Sequence, residues 1–234
     1  MENTSGFIQQ CLASKMFTED EFVSTTTRFF GDEIELNKII QETKKTLVDY
    51  GLDLAKIIDQ VTGDAYYVLT NNKQDTLATL ASKYTQTELL YFKSLVEGIM
   101  TSDDNKFYLT YHEALDKSGE IEVATFRSKE AQTALDSFFK DKWLESVSGK
   151  ICLGNRSLAE LHKFLKDNYN EETTECYVCS GILTRGWMCH YCGKGIHSFC
   201  YNQLSTNQNK ECLECSKDFD QNSQENDSVV GPGE

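Results

Sequence analysis

Apolar residues recur at helical spacing through most of the first 170 positions, interrupted twice by stretches that alternate instead. "GFIQQCLASKMF" (6–17) sets Phe7, Ile8, Cys11, Leu12 and Met16 on one helical face. "EIELNKIIQETKKTLVDY" (33–50) does the same with Ile34, Ile39, Ile40, Leu47 and Val48, and Gly51 follows as a cap. "LDLAKIID" and "AYYVLT" flank "QVTG" and predict two strands about a turn. Helical spacing returns in "TLATLASKY" and in "TQTELLYFKSLVEGIM", where Thr85 and Glu88 match a capping box.

The same logic repeats more tightly after 101. "TYHEALDKS" predicts a short helix. "SKEAQTALDSFFKDKW" (128–143) predicts a longer one, with Ser128 as N-cap and Ala131, Leu135, Phe138 and Phe139 on one side. "WLES" and "ICLG" then read as strands around "VSGK", and "SLAELHKFLKDNY" (157–169) as a closing helix carrying Leu158, Leu161, Phe164 and Leu165. Helix, helix, hairpin is the winged-helix order, a variant of helix-turn-helix. The expected fold class is mainly α with small β-hairpins, arranged as tandem winged-helix domains followed by a small cysteine-rich C-terminal domain. The expected divisions are 1–101, 102–170 and 171–217, with 218–234 as a disordered acidic tail.

Seven of the nine cysteines lie in "CYVCSGILTRGWMCHYCGKGIHSFC" (176–200) and "CLEC" (212–215). They form four pairs, each with a two-residue gap: Cys176 and Cys179, Cys189 and Cys192, His197 and Cys200, Cys212 and Cys215. Eight such ligands fill two tetrahedral, closed zinc sites, whereas a catalytic zinc keeps one position for water. A thioredoxin-like redox site needs one CxxC near a βαβ unit, not four pairs in tandem. Roughly forty residues bury too little surface to fold unaided, so the ions are part of the fold. His190 would leave a single residue before Cys192, so Cys189 is the expected ligand and His190 a surface residue. Cys11 and Cys152 read as small packing residues.

Composition narrows the setting. The net charge of −14 argues against a general basic surface for nucleic acid. Lys129, Lys140 and Lys142 of the long helix are offset by Glu130, Asp136 and Asp141, so protein binding is favoured there over direct DNA contact. Lys150 and Arg156 near the hairpin point the other way. "MENTSGFIQQ" has neither the basic start nor the apolar run of a signal peptide. No apolar stretch approaches the roughly 20 residues that span a bilayer. A reducing compartment is therefore expected, where clustered cysteines mean metal more often than disulfides. No Gly-rich phosphate loop, nucleophile elbow or convincing carboxylate pair is present. His112 and His162 stand alone and read as packing or surface residues.

The ligand order of four cysteines, a histidine and three cysteines resembles both RING-variant and PHD fingers. The Trp that a PHD finger carries two positions before its seventh ligand is Lys210 here, and the RING pattern fits better. In the RING family the positions of Val178, Leu204 and Leu213 form the surface that docks a ubiquitin-conjugating enzyme. Two positions depart from a strong ligase: Leu213 stands where Pro is usual, and Ser216 where an Arg or Lys is usual. Both a ligase and a bare interaction module fit this pattern.

"EAQTALDSFFKDKWLESVSGKICLGNRSLAELHKFLKDNY", the "GKGIHSFC" of the zinc segment and the pattern of "TLATLASKYTQTELLYFKSLVEGIM" together resemble the non-SMC element 1 family. That family is the RING-bearing subunit of the SMC-five/six DNA-repair complex. The resemblance implies winged helices that pair with a MAGE-family subunit, and a kleisin that bridges both to the SMC ATPase heads. It implies a weak ubiquitin ligase enhanced by the MAGE partner, acting in homologous recombination in the nucleus. It also implies DNA contact mainly through those partners, and an interleaved connectivity of the two zinc sites.

Overall fold

The computed structural model describes residues 2–32, 35–71, 80, 83–102, 106–189, 191–204 and 211–217. Most of the helix expected over 76–84, the surface position of His190 and the disorder expected for 218–234 lie outside those residues.

The first unit runs α1 (Glu2–Ser14), β1 (Met16–Thr18), α2 (Glu19–Phe30), α3 (Leu36–Val48), β2 (Leu52–Ile58) and β3 (Ala65–Asn71). The predicted hairpin of β2 and β3 is present, with Leu54 opposite Leu69 and Ile58 opposite Ala65. β1 adds to the far side of β3, giving a three-stranded sheet in the order β1-β3-β2. The helix expected over 6–17 therefore stops at Ser14: Lys15 turns the chain at φ 63° and Met16 pairs with Val68. α2 was not anticipated. Its start is a capping box, with the Thr18 hydroxyl accepting from the Glu21 N–H at 3.2 Å and the Glu21 carboxylate accepting from the Thr18 N–H at 2.9 Å. Phe7, Cys11, Phe22, Leu47, Leu54 and Tyr67 meet in one core, where the Phe22 and Tyr67 rings stack at 4.0 Å.

The second unit repeats that order: α4 (Gln86–Met100), β4 (Leu109–Thr110), α5 (Tyr111–Asp116), α6 (Ser128–Lys140), β5 (Leu144–Val147) and β6 (Lys150–Leu153). Its sheet has the order β4-β6-β5, so each expected hairpin is in fact extended by a third short strand. The capping box read at Thr85 and Glu88 is formed. At α6 the cap falls one residue earlier than expected: Arg127 is the N-cap, its N–H donating to the Glu130 carboxylate at 3.1 Å.

α4 belongs to this second unit. Its Tyr91, Phe92, Leu95 and Ile99 share a core with Leu135, Phe138, Trp143 and Ile151. The junction between the two cores therefore lies ahead of α4 and not at 101, because the apolar face of the helix is matched by α6 and the β4-β6-β5 sheet. The closing helix expected over 157–169 is two, α7 (Asn155–Glu160) and α8 (His162–Asn168), with Leu161 leaving helical geometry between them. Leu158, Leu161 and Leu165 all enter the core, and α7 also packs on β2 and β3 of the first unit. Each fully buried large apolar side chain contributes about 1.5–3 kcal/mol relative to exposure.

The remaining segment has little regular structure. Two short antiparallel pairs, β7 (Thr174–Glu175) with β8 (Ile182–Leu183) and β9 (Gly186–Met188) with β10 (Gly195–His197), precede α9 (Ser198–Leu204). Its core is small, and four of the six buried residues in it are Cys176, Cys189, Cys212 and Trp187. Such a core cannot hold the segment alone.

Candidate metal centre

Three of the four ligand pairs adopt the same turn. The residue after the second cysteine donates its N–H to the carbonyl of the first: Ser180 to Cys176 at 2.7 Å, Gly193 to Cys189 and Ser216 to Cys212, both at 2.8 Å. The first cysteine in turn donates its N–H to Gly181, Lys194 or Lys217. Ser180, Gly193 and Ser216 sit at φ 58°, 67° and 55°, the left-handed conformation that glycine adopts most easily. The fourth pair is built differently, with His197 ending β10 and Cys200 in the first turn of α9.

These pairs come together interleaved. Cys176, Cys179, His197 and Cys200 form one group, and Cys189, Cys192, Cys212 and Cys215 the other, with the ligand atoms of each within 4.8 Å of one another. In the all-cysteine group Cys189 and Cys215 have sulfurs 3.6 Å apart, and Cys192 and Cys212 3.7 Å. A disulfide needs about 2.05 Å. Sulfurs at about 2.3 Å from a tetrahedral ion stand roughly 3.8 Å apart, so these spacings fit a shared ion. In the mixed group the sulfurs of Cys179 and Cys200 lie 3.2 and 3.8 Å from His197 Nδ1.

The protonation of these groups suits a cation. Burial lowers the pKa of His197, which keeps the imidazole neutral, and its Nε2 donates to the Ile182 carbonyl at 3.1 Å. That bond fixes the tautomer and leaves the Nδ1 lone pair facing the sulfurs. Burial raises Cys189, yet N–H donors at Cys192 and Tyr191 and neighbouring sulfurs outweigh it and bring the thiol down to about 7. Burial, then the sulfurs of Cys176 and Cys179, push Cys200 up to about 12. A bound dication resolves this conflict, since it stabilises every thiolate around it. With four S or N donors in each group and no fifth direction left open, both groups have the character of structural sites.

Among the remaining sequence candidates, Val178, Leu204 and Leu213 are 41%, 52% and 41% exposed, each on this segment. Cys11 and Cys152 are buried, and burial pushes both thiols up to about 12, as fits packing residues. Neither His112 nor His162 joins a ligand group. His112 is exposed and pairs with Asp116 at 2.8 Å. Among the described residues no helix is long and apolar enough to cross a membrane.

The turn between β2 and β3 proves to be a docking point for the metal segment, which the sequence did not reveal. Gln60, buried in that turn, donates from Nε2 to the Ile182 carbonyl at 2.9 Å. Its Oε1 accepts from the N–H groups of Thr184 and Arg185 at 3.0 and 2.9 Å. Its own carbonyl accepts from the Phe199 N–H at 2.8 Å. Gly63, at φ 81°, lies under the Phe199 ring, where a Cβ would come within 2.1 Å of it. Beside it Asp59 accepts from Val61, Thr62 and the Asn155 amide, and faces the buried Arg185, which also pairs with Glu145. A polar residue in a turn is ordinary, so nothing in "QVTG" distinguishes Gln60 from a solvated one.

Two units of repeated helix-and-sheet order, carrying a C-terminal segment built around two interleaved ligand groups that could each hold a metal ion, define a multi-part protein with a cysteine-rich module. The family model described as "Nse1 non-SMC component of SMC5-6 complex" matches residues 6–161, and the chain belongs to that family. Among curated relatives, the non-structural maintenance of chromosomes element 1 of Schizosaccharomyces pombe is 25% identical over 187 residues, covering 80% of this chain and 78% of that protein. The Xenopus laevis homolog is 26% identical over 169 residues, covering 72% of this chain. That match spans only 62% of the Xenopus protein. The human homolog is 22% identical over 183 residues, 78% of this chain and 68% of its own length. A chain of a solved Nse1-Nse3-Nse4 complex shares the fold, with a TM-score of 0.81 at 22% identity over 94% of this chain and 97% of that one.

Proposed function

We propose that this chain is the RING-type ubiquitin-ligase subunit of an SMC5-6 complex, with zinc in both Cys/His groups. The observation that carries this reading is the interleaved pairing of ligands, because it sets the two CxxC turns bearing Val178 and Leu213 in one module with the end of α9 at Leu204. Those three exposed side chains are the proposed docking surface for a ubiquitin-conjugating enzyme. Zinc supplies cross-links and no chemistry. No side chain of this segment forms a covalent intermediate. Its work is to hold the conjugating enzyme and its ubiquitin thioester in a geometry that a lysine amine can attack.

The order helix, strand, two helices, hairpin in each of the first two units supports a tandem winged-helix reading. On α6 the acidic residues cancel the lysines, and Asp141 just beyond it is held by Lys83 and Tyr84. Protein partners therefore suit these units better than DNA. By family, those partners are a MAGE-type Nse3 subunit and an Nse4 kleisin, with action in recombinational repair in the nucleus. The divisions at 171–217 for the RING-like domain and 218–234 for the tail belong to the same proposal.

A second reading, a zinc-stapled scaffold without ligase activity, is favoured by two positions. Leu213 lacks the rigidity of Pro, and Ser216 occupies the left-handed corner of its turn where a cation would meet the donor ubiquitin. Ubiquitin discharge from a loaded conjugating enzyme separates the two. With the MAGE-type partner present, the wild type accelerates discharge and Val178→Glu does not, at equal zinc content. Equal discharge with wild type, Val178→Glu and no added protein would leave the scaffold reading standing.

A further inference from the structure

The carbonyl of Ile182 receives two hydrogen bonds, one from His197 Nε2 at 3.1 Å and one from Gln60 Nε2 at 2.9 Å. A carbonyl oxygen has two lone pairs, so this acceptor is filled, and the imidazole and the carboxamide fix it jointly. We infer that Gln60, from the first unit and 137 positions upstream of His197, is a positioning residue for the mixed Cys/His metal site. This rests on the reading of that site as a zinc site.

The geometry gives Gln60 two holds on the site. Its side chain pins β8 and the residues just beyond it, through the shared Ile182 carbonyl and through the N–H groups of Thr184 and Arg185. Its backbone carbonyl accepts from Phe199, which stands between the ligands His197 and Cys200. The turn that carries Gln60 is itself braced, since the Asp59 carboxylate accepts from Val61 and Thr62 at 2.9 Å each. Gln60 is only 6% exposed, so water does not replace these bonds when they are lost. The all-cysteine site has a different support. Both of its pairs are turns closed by their own backbone, Cys189 with Lys194 and Cys212 with Lys217. The mixed site has one such turn, Cys176 with Gly181, and a second pair, His197 and Cys200, that lacks it. One site is thus completed by the first unit, and the other is local.

Outer partners of a metal-bound imidazole orient the ring, and their loss typically weakens metal binding by about ten- to a hundred-fold. Gln60→Glu is the informative variant. It keeps the shape and the acceptor toward Thr184 and Arg185, but it replaces the donor facing Ile182 with a carboxylate oxygen. The measurement is residue-resolved thiol alkylation of the zinc-loaded full chain, followed by mass spectrometry, with zinc content determined alongside. Alkylation of Cys176, Cys179 and Cys200 is expected to accelerate about ten- to a hundred-fold while Cys189, Cys192, Cys212 and Cys215 keep their wild-type rates. In a His197→Cys chain, which has no imidazole to orient, Gln60→Glu should lose that selectivity. Equal acceleration at all seven cysteines, no acceleration, or selectivity that persists with Cys at 197 would each overturn the inference alone. A wild-type chain without two zincs would overturn the zinc reading and this inference with it.

Discussion

The two helix-and-sheet units and the segment that follows them solve the same problem by different means. The second unit places Phe138 against Tyr84, Tyr91 and Phe92, ring centroids 5.0–6.4 Å apart, and needs nothing beyond apolar area. The segment from 171 to 217 has a core of a few side chains, several of them cysteines, and closes around two ligand groups instead. Cooperativity follows the material. An apolar core loses stability in increments as atoms are removed, whereas a four-ligand site is made or lost as a whole. The difference also explains the dock at Gln60: a segment with so small a core takes its orientation from a unit that has a larger one.

The sharpest way to break the comparison is to take the metal away. Chelation is expected to remove about 10–16 kcal/mol of folding free energy per zinc. Amides of 171–217 should then lose hydrogen-exchange protection while those of α4 and α6 retain it. Equal loss in both regions would mean that the body also depends on metal. The converse cut is Phe138→Ala, in a side chain with no exposure, expected to cost about 3–5 kcal/mol. Urea unfolding of α4 and α6 should shift accordingly with two zincs still bound.

A smaller effect is expected at the junction. Hydrogen bonds from Val61, Thr62 and Asn155 and the charge of Arg185 outweigh burial and hold the Asp59 carboxyl below its usual range. A depressed acid pKa stabilises the fold above the unfolded value near pH 4, and that contribution is lost as pH falls through the folded value. Asp59→Asn should therefore be about 1.5–3 kcal/mol less stable than wild type at neutral pH. The gap should close below about pH 4 in paired denaturation curves. A gap that does not change with pH would assign the cost to packing. The smallest change sharpens the metal side. Ser216→Gly relieves a left-handed serine by about 1 kcal/mol, and zinc release from the all-cysteine site should slow about five-fold.

Much of this was legible in the chain. Six of the eight candidate ligands follow from spacing because a CxxC turn is a local object whose geometry its own backbone dictates, and His197 and Cys200 share only the two-residue gap. The Thr85 box and the faces of α4 and α6 are local too. "TEDE" at 18–21 carries the capping signature of α2. What the sequence withheld is tertiary. Helical spacing shows that α4 has an apolar face but not which core receives it, so the boundary at 101 was misplaced. β1 and β4 are too short to alternate visibly. The pairing of ligands across 23 residues of chain, from Cys189 to Cys212, leaves no mark in spacing and came from resemblance alone. Gln60 was invisible because, apart from the Thr184 hydroxyl, its partners are backbone groups, which every sequence has.

The central claim is that two ions are shared between interleaved pairs. Cadmium exchange with an NMR-active isotope tests it in the unmodified chain, through couplings between each metal resonance and the cysteine β-protons. Correlations of Cys176, Cys179 and Cys200 to one ion, and of Cys189, Cys192, Cys212 and Cys215 to the other, are the predicted result. A metal resonance that couples to both Cys176 and Cys192 would show sequential pairing and contradict it.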